Sequence, residues 1–592
     1  MVLPLGCFSI PVLADWAAKM ARAPTAKTAT ERWKRLLSHG FFAPELPPCF
    51  VSADLARMRR ALWARIELVP GPRRGNIPGY RQLLTQPSRF NFPRFGRNDR
   101  RHGVPNPIAH LAISKVIADH FVRLRSTAHR NSGLSASPLV FDWTGSRAIL
   151  RSSIDLREDF RMELASRREH YISADLRAFY HSIYTHSIPW AVHGKAFAKQ
   201  NRSNDHYGNL LDLLCRNAND GQTLGLPVGP DTSRILAEVV ASAVDAELKN
   251  DTGVTVRDAS RYVDDYTIGS MEDRNGEAMI AAVRRAAGVF ELELNHDKSA
   301  VIPTSTNLNI GWKQVALAHR PVAPYTLDAY KRFFYEIERL AGEATSINIE
   351  KWSLQNARVA FLSADRATWH YLQSHLINAY RRNSTLISLL VELIILRHRR
   401  HGDVDVESVR DFVEHRIPTL AMEDRSGELI WLLFMALALN IRITGGVLTP
   451  LFHVEDPMCA LLISQAADRG LVRGPIDQAV WNQSLSGAGL ESPMWPYAYE
   501  GPRLGIIPGA TLDHIENHPY FSILHQRNIR FFSMDAGIEA IDSAMSRRRV
   551  DNLHAMRLRA AFAEFGDPPA IDDWDIGDED EQFEEFDDEE IY

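Results

Sequence analysis

Residues 254–269 read VTVRDASRYVDDYTIG, and this segment is the clearest indication of the fold. Apolar and β-branched residues flank the adjacent carboxylates Asp264 and Asp265 on both sides, which predicts a β-hairpin with the acidic pair at its tip. Two like charges on a tight turn repel each other, so a group of opposite charge must offset the cost. A divalent cation is the natural candidate.

A third carboxylate, Asp175, precedes Asp264 by 89 residues. It stands in YISADLRAFY at residues 171–180, at the end of a short apolar strand, where a carboxylate would emerge at a cleft. Three converging carboxylates can hold two Mg²⁺ ions, with Mn²⁺ as an alternative. Such a pair of ions stabilises the attacking and leaving oxygens of phosphoryl transfer.

Length and composition exclude several classes of protein. A chain of 592 residues is longer than one hydrophobic core usually serves, so we expect two or more domains. The four cysteines are scattered, without the spacing of a zinc site or a disulfide framework, which fits a reducing cytoplasm. The longest apolar run, residues 386–396, is too short for a membrane span and contains Glu392. With no basic segment at the start, we expect a cytoplasmic protein without a signal peptide or membrane contact.

Charge is distributed unevenly along the chain. Residues 571–592 contain 13 Asp and Glu, and without them a chain of net charge −5 carries +8. Residues 57–101 contain 12 Arg against Glu67 and Asp99. This unbalanced basic stretch favours nucleic acid as a partner over a merely solvated helix face. The acidic tail is predicted to be disordered, as a solubility tail or as a mimic of nucleic acid in the basic cleft.

Hydrophobic periodicity predicts a mixed part followed by a helical part. Helices are predicted over 10–66, 111–125, 232–249 and 277–290, loops and short strands over 67–110, and strands over 171–183 and 254–270. The hydroxyls of Thr232 and Ser233 are expected to cap the third of these helices. From about 325 to 563 the pattern is almost wholly helical, with a break near 443–456 and no clean repeat.

Three further segments bear on chemistry. Tyr180 follows Asp175 and either packs in the core or lies under the sugar of a nucleotide, where its ring would exclude a 2′-hydroxyl. The loop GLPVGPDTSR at residues 225–234 precedes a helix whose free N–H groups suit a nucleotide, although Gly and Pro before a helix are also common in ordinary loops. Lys298, in LNHDKS at 294–299, is either an exposed loop lysine or approaches a triphosphate and gives a proton to the leaving pyrophosphate.

A basic loop completes the set. FPRFGRNDRRHGVPNP at residues 92–107 holds four arginines in a turn-rich frame, an arrangement that suits phosphate oxygens. Spacing alone does not decide which of the four contacts a triphosphate.

The order of these segments resembles the palm of a reverse transcriptase. Asp175–Tyr180 is similar to the first palm motif, Leu226–Gly229 to the second, Tyr262–Asp265 to the third and Leu294–Lys298 to the fourth. Arg97–Pro107 is similar to the preceding fingers motif, so the resemblance covers roughly residues 50–320. At one position the chain departs from the pattern. Val228 stands where many reverse transcriptases have glutamine, whose amide can hydrogen-bond near template and nucleotide.

The resemblance implies an α+β, right-hand polymerase with fingers, palm and thumb that adds dNTPs on two Mg²⁺ ions. An RNA template or noncoding RNA and a DNA product would be its partners. It implies Asp175, Asp264 and Asp265 as metal ligands, and as catalytic residues together with Lys298. The nucleotide-binding residues would be Tyr180 as a steric gate, Arg97, Arg101, Gly229 and Ser233.

The wording of residues 225–238 and the long helical extension resemble the bacterial abortive-infection and defence-associated reverse transcriptases, which act against phage. Some of that group start DNA from a protein hydroxyl, work without a conventional template or use a noncoding RNA. The resemblance implies fingers and palm at 1–320, with an N-terminal helical extension to about 66. A thumb or connection would follow at 321–345. The rest would be an all-α, solenoid-like domain at 346–566 and an acidic tail at 567–592. Through its helical domain the protein would bind a second copy or an accessory protein.

Three alternatives stay open. A group II intron-like or retron-like reverse transcriptase would keep the chemistry and change the biology. A catalytically idle palm would serve as an RNA-binding scaffold. The Arg and His spacing of Arg410–His415 matches a helical nuclease family, although a chain with 22 His meets such a pattern by chance.

Overall fold

A computed structural model describes residues 28–71, 77–151, 155–271, 274–305, 311–344 and 347–543. The acidic tail and the first part of the helix predicted over 10–66 lie outside these residues. The rest of that helix is confirmed as two helices, α1 (Ala29–His39) and α2 (Ala53–Ile66). A capping box between Thr28 and Glu31 starts α1, because each side chain satisfies a backbone N–H of the other residue.

A two-stranded antiparallel hairpin follows, built from β1 (Ser88–Arg94) and β2 (Arg97–Val104), which confirms the prediction of short strands in this region. The register pairs Phe92 with Arg100 and Asn91 with Arg101. Because side chains alternate across a strand, Arg100 and Arg101 point to opposite faces of the hairpin. Two helices then lead to the central sheet, α3 (Pro107–Asn131) and α4 (Asp155–Ala165).

The central sheet has four antiparallel strands in the order β4-β5-β3-β6. The strands are β3 (His170–Asp175), β4 (Ala259–Tyr262), β5 (Asp265–Ser270) and β6 (Ala300–Pro303). The strand predicted over 171–183 was too long. Ala178 adopts a left-handed backbone with φ of 46°, which ends the extended path and starts a short helix.

The chain between β3 and β4 is helical. It forms α5 (Phe179–Ser182), α6 (Ser187–His193), α7 (Lys195–Gln200), α8 (Tyr207–Asn217) and α9 (Asp231–Thr252), and α10 (Arg274–Val289) links β5 to β6. The predicted capping of α9 by Thr232 and Ser233 is wrong. Pro230 occupies the N-cap and gives no side-chain bond, while both hydroxyl residues are buried inside the first turn.

Alternation gives the sheet two different faces. Ile172 and Ala174 of β3 pair with Ile268 and Tyr266 of β5, and all four are fully buried. Asp175 is out of phase with that apolar pair and therefore lies on the other face. The apolar face thus anchors the sheet, and the other face carries the carboxylate at the strand end.

The remainder is mostly helical, as predicted. The helices are α11 (Trp312–Ala318), α12 (Leu327–Glu343), α13 (Ile349–Asn356), α14 (Arg358–Leu362), α15 (Arg366–Arg382), α16 (Ile387–His401), α17 (Val406–Met422), α18 (Ser426–Ala438), α19 (Gly445–Leu448), α20 (Pro457–Asp468), α21 (Ala479–Asn482), α22 (Gly487–Glu491), α23 (Trp495–Leu504), α24 (Asp513–Glu516) and α25 (Phe521–Gln526). This part departs from the all-α prediction at one parallel strand pair, β7 (Ile443–Thr444) with β8 (Val472–Arg473). The predicted break near 443–456 coincides with β7 and α19. No helix among the described residues has the length and apolar character needed to cross a membrane.

The helical part packs directly on the N-terminal part. The Trp431 indole donates to the Glu45 carbonyl at 2.6 Å, and the Asn106 amide donates to the Leu490 carbonyl at 2.8 Å. Near the end of the described chain, Phe532 forms a β-bridge with Phe50. All described residues belong to one compact unit, and the domain boundaries at 320, 345 and 566 stay predictions.

A further contact between the two parts holds the β1–β2 hairpin. The Ser426 hydroxyl accepts from the Asn91 N–H at 2.9 Å, and a Cβ added at Gly427 would stand 2.5 Å from the Asn91 carbonyl oxygen. Only glycine fits there without moving β1.

Gly427→Ala should therefore lower the free energy of unfolding by about 1–3 kcal/mol, because the new methyl group meets backbone rather than a flexible side chain. Gly446→Ala is the matched control, since nothing lies within 4 Å of its added Cβ, and its effect should stay within about 0.5 kcal/mol. Urea denaturation followed by circular dichroism measures both. Equal stability of the two variants would contradict the packing described.

Candidate active site

Pairing of β3 with β5 brings two of the predicted carboxylates together. Asp175, the last residue of β3, is the register partner of Asp265, the first residue of β5. Directly opposed residues on an antiparallel pair project to the same face, with Cβ atoms about 5 Å apart. Asp264 precedes them in a two-residue turn, and its carbonyl accepts from the Leu176 N–H at 3.0 Å. The three aspartates therefore share one end of the sheet. The predicted hairpin with Asp264 and Asp265 at its tip is confirmed.

The turn carrying Asp264 is strained. Val263 has a φ of +61°, a conformation that β-branched residues rarely adopt. The Arg261 guanidinium, fully buried behind the turn, donates to the Val263 carbonyl at 2.7 Å. The Ser137 hydroxyl accepts from the Val263 N–H at 3.2 Å. These bonds hold the backbone in the shape that presents Asp264.

Arg261 is itself fixed by two acids of α9. It contacts Glu238 and Asp245, both at 2.8 Å, and the Tyr266 hydroxyl donates to Asp245 at 2.7 Å. Burial lowers the pKa of Arg261, but the two carboxylates outweigh burial and hold the pKa well above its ordinary value. The guanidinium is therefore a permanent charge at the centre of a buried network.

Removing this charge should destabilise the fold strongly. Arg261→Met is expected to lower the free energy of unfolding by about 3–5 kcal/mol, because two buried carboxylates lose their partner. Arg261→Lys should cost less, since it keeps the charge while losing the forked geometry. Urea titration gives the values, with the exposed Arg320→Met as a control. A loss below about 1 kcal/mol for Arg261→Met would contradict the role of the network.

Two of the three carboxylates are held by cations. The Lys298 ammonium lies 2.7 Å from one oxygen of Asp175, and the Asn295 amide lies 3.4 Å from the same oxygen. Arg157 of α4 contacts Asp265 at 2.6 Å. The structure thus brings Lys298, from the fourth motif-like segment, onto Asp175 of the first.

Asp264 differs from its neighbours. Burial, and then repulsion by Asp175 and Asp265, raise the pKa of Asp264 to about 6. Among the described residues it forms no ion pair. Asp264 is therefore the carboxylate whose charge is least compensated, and a cation at this end of the sheet would relieve it.

The donor set suits Mg²⁺, which prefers carboxylate oxygens. In the described parts of the chain, however, no three His, Cys, Asp or Glu side chains lie in an arrangement that would hold a metal ion. Lys298 already contacts an Asp175 oxygen that a metal would use, and Arg157 contacts an Asp265 oxygen. The chemistry of the residues fits the ion, and metal binding by Asp175, Asp264 and Asp265 stays a prediction.

Basic side chains surround the carboxylates. Arg94 interacts electrostatically with Asp264 and Asp175, and Arg100 with Asp264. Arg151 and Arg234 act on both Tyr180 and Tyr262 in the same way. Arg97 lies exposed near Arg94 at the turn of the hairpin. This ring of cations has the charge that a triphosphate requires.

Arg101 is in a different place. It lines a cavity of about 320 Å³ between β2 and residues 224–228, together with Arg89, His181 and Asn219. The Arg89 guanidinium donates to the Asn219 side chain at 3.0 Å. The two arginines predicted to bind nucleotide therefore occupy separate surfaces, and both assignments stay predictions.

Tyr180 lies beside the second motif-like segment. Its carbonyl accepts from the Leu226 N–H at 2.7 Å, which fixes α5 against the loop. Burial, and to a lesser extent the charge of Asp264, raise the pKa of Tyr180 to about 12. The ring is thus near the carboxylates and neutral, as a steric gate would need, and that role stays a prediction.

Gly229 and Ser233 face protein in this structure. Gly229 has a φ of +128°, and a Cβ there would stand 2.6 Å from that of Ala43. Its carbonyl accepts from Arg147 at 2.8 Å. Ser233 is 4% exposed. The backbone shape of the loop therefore requires glycine, and nucleotide contact by either residue stays a prediction.

Sequence reasoning did not single out several residues of the site. Arg157, Arg261 and Arg234 lie close to the carboxylates or behind them, and each comes from an element of its own. Arg234 lies in the loop segment 225–234 and Arg261 in the hairpin segment 254–269, so their place in the sequence could have pointed to the site. Arg157 had none, because its contact with Asp265 joins segments 108 residues apart.

Comparisons with known proteins give weak similarities. No protein-family model and no curated protein matches the sequence. Among solved structures, the chain is similar to telomerase from Candida albicans in complex with a fragment of telomeric RNA, at 12% identity and a TM-score of 0.26, over 56% of this chain and 64% of that chain. It is also similar to apo telomerase from Candida tropicalis, at 12% identity and a TM-score of 0.28, over 64% and 76% of the two chains. The chain spans less than two thirds of the length of the first telomerase. TM-scores this low carry no argument about the fold, which is described here by the sheet and its carboxylates alone.

A cation should stabilise the acidic end of the sheet. In EDTA at neutral pH, Asp264→Asn should be more stable than the unmodified protein by about 1–2 kcal/mol, because one of three like charges is gone. Adding Mg²⁺ should then raise the melting temperature of the unmodified protein and leave that of the variant nearly unchanged. Differential scanning fluorimetry measures the difference, with the exposed Asp535→Asn as control. The same Mg²⁺ response in both proteins would place the ion elsewhere.

Proposed function

We propose that this protein is a reverse transcriptase-like DNA polymerase that adds dNTPs by two-metal phosphoryl transfer. One observation carries the proposal. Register pairing sets Asp175 against Asp265 at one end of an antiparallel sheet, beside the strained turn of Asp264 and with Lys298 on Asp175. A protein that served only as a scaffold would have no need to gather three carboxylates around such a turn.

In the proposed reaction a hydroxyl oxygen attacks the α-phosphorus of a dNTP and releases its proton to water, and the bond from that phosphorus to pyrophosphate breaks. The hydroxyl is a 3′-hydroxyl of nucleic acid or a hydroxyl of the protein. Asp175, Asp264 and Asp265 would hold two Mg²⁺ ions, which would supply charge neutralisation at the attacking and leaving oxygens. Lys298 would leave Asp175 and give its proton to the departing pyrophosphate.

The basic residues divide into two groups in this proposal. Arg94 and Arg100 interact electrostatically with Asp264, and they would bind the triphosphate. Arg89, Arg101 and His181 line the cavity beside residues 224–228, whose charge suits the backbone of an RNA template. The ring of Tyr180 would lie under the sugar and exclude a 2′-hydroxyl. The side chain of Val228 has no amide that could hydrogen-bond to the template and nucleotide.

The finer features of the proposal come from the resemblance to the defence-associated group. They are a role against phage, priming from a protein hydroxyl, synthesis without a conventional template or with a noncoding RNA, and assembly through the helical part. A group II intron-like or retron-like enzyme would share the chemistry. It would be distinguished by a structured RNA encoded beside the gene.

One observation favours a second candidate, the idle RNA-binding scaffold. Lys298 and Arg157 already neutralise Asp175 and Asp265 through direct contacts. In such a protein these ion pairs would be permanent and would replace the metal ions. The two candidates differ in a single measurable property, the incorporation of nucleotides.

Incubation of the purified protein with labelled dNTPs, singly and together, tests the proposal. Parallel reactions with and without the co-purifying RNA, followed by protease, report template use and covalent priming. Asp264→Ala with Asp265→Ala should reduce incorporation about a thousandfold or more, because several kcal/mol of charge stabilisation are lost. The exposed pair Asp468→Ala with Asp535→Ala serves as control. Full incorporation by the first double variant would overturn the assignment, and no incorporation by the unmodified protein under any condition would favour the scaffold.

A further inference from the structure

Five aromatic and imidazole rings form a continuous cluster away from the strands of the central sheet. This aromatic row consists of His120, His193, Phe197, His206 and Tyr207. His120 stacks on Tyr207 at a centroid distance of 4.4 Å, and Tyr207 meets the edge of His193 at 5.0 Å. Phe197 lies 5.8 Å from His193 and 5.2 Å from His206. None of these residues takes part in the proposed polymerase chemistry.

The row is built on a fixed backbone. Gly194, with a φ of +86°, separates α6 from α7 and turns the chain between them. The Asn209 amide donates to the carbonyls of Asn201 and Ser203, both at 2.8 Å, which anchors the loop before α8. The Gly208 N–H donates to the His193 ring nitrogen at 3.2 Å. The rings are therefore held in place by the fold rather than by one another alone.

The row reaches the surface. Phe197 is 42% exposed, and the other four rings are partly exposed. Burial and the neighbouring His206 and His120 lower the pKa of His193, so its ring is uncharged near neutral pH. An open cluster of aromatic and imidazole rings is the kind of surface on which flat, apolar groups stack.

Positive charge borders the row on two sides. Lys199 and Arg202 are exposed and follow Phe197 closely in the sequence, and the Lys199 ammonium lies 5.9 Å from the Trp190 ring. Arg123 and Arg130 of α3 interact electrostatically with Tyr207. Residues 187–207 contain a single acid, Asp205, which accepts a hydrogen bond from the Ser203 hydroxyl at 2.7 Å. Cations thus outnumber acids around the rings, where Asp119 beside His120 is the acid contributed by α3.

We propose that the aromatic row and its bordering cations bind single-stranded nucleic acid, with bases stacked on the rings and phosphates on Lys199, Arg202, Arg123 and Arg130. Stacking accepts any base because every base has an aromatic face, and cations beside the rings follow the backbone. A peptide partner would need acidic side chains to complement these cations, whereas nucleic acid carries a negative charge at every nucleotide. The site goes beyond the proposed function, since it lies outside the carboxylate cluster and needs neither dNTP nor metal.

Fluorescence anisotropy of the full-length protein with labelled oligonucleotides tests the proposal, using strands of about 20 nucleotides, longer than typical site sizes. Single-stranded RNA, single-stranded DNA and duplex DNA form separate arms, all in EDTA. Phe197→Ala with His206→Ala should weaken single-strand binding about tenfold or more, because two stacking surfaces are lost. Phe197→Trp should keep or increase affinity, which distinguishes loss of a ring from loss of the fold. The exposed Tyr335→Ala, on α12, is the matched control.

The charged residues are tested by salt. Lys199→Gln with Arg202→Gln should reduce the slope of log affinity against log salt by about 1.4, the value for two lost contacts with a single strand. Arg400→Gln with Arg469→Gln, exposed at the ends of α16 and α20, should leave the slope unchanged.

Failure of this site and failure of the polymerase proposal are separable. Asp264→Ala with Asp265→Ala should bind single strands through the row as the unmodified protein does, even where incorporation is lost. Unchanged affinity in the Phe197 and His206 double variant would overturn the inference. So would preference for duplex, or a change of oligomeric state in that variant without a change in affinity, which would indicate a protein interface.

Discussion

A single buried guanidinium holds the turn on which the proposed chemistry depends. Arg261 bridges Glu238 and Asp245 and at the same time binds the carbonyl of Val263. A β-branched residue in a left-handed conformation costs of order 1–3 kcal/mol, and the surrounding structure must supply that energy. The network ties the turn to α9, so the position of Asp264 is set by a helix rather than by the hairpin alone. The strain is stored at Val263, between the buried Arg261 and the carboxylate of Asp264.

The second constraint comes from the far end of the chain. The base of the β1–β2 hairpin is held by Ser426 and Gly427 of α18, and the Asn106 side chain beyond β2 by the Leu490 carbonyl. The basic hairpin therefore depends on helices more than 300 residues later in the sequence. A helical part that packs in this way does more than extend the molecule, because it sets where the arginines of the hairpin stand relative to the sheet. This coupling makes changes in the helical part capable of altering the candidate site.

The sequence was informative where local pattern determines structure. The acidic pair at the hairpin tip followed from the apolar and β-branched residues on both sides of it, and Asp175 at a strand end followed from the short apolar run before it. It failed where one residue changes the path of the backbone. Ala178 in the left-handed region ended a strand that the apolar pattern continued to residue 183, and Pro230 displaced the hydroxyls expected to cap α9. Contacts such as Arg157 with Asp265 were beyond prediction, since nothing in either segment specifies the other.

Charge balance connects the two functions proposed for the carboxylates. Three aspartates at one end of a sheet cannot stay uncompensated, and Lys298 and Arg157 satisfy two of them while Asp264 bears the remaining repulsion. A polymerase would exchange these side-chain cations for metal ions when substrate arrives, and the released lysine would then stand at the leaving group. A scaffold would keep them. The same ion pairs are therefore a resting state in one case and a final state in the other. Asp264 forms no ion pair among the described residues, which favours the first case, because a permanent arrangement would have paired it as well.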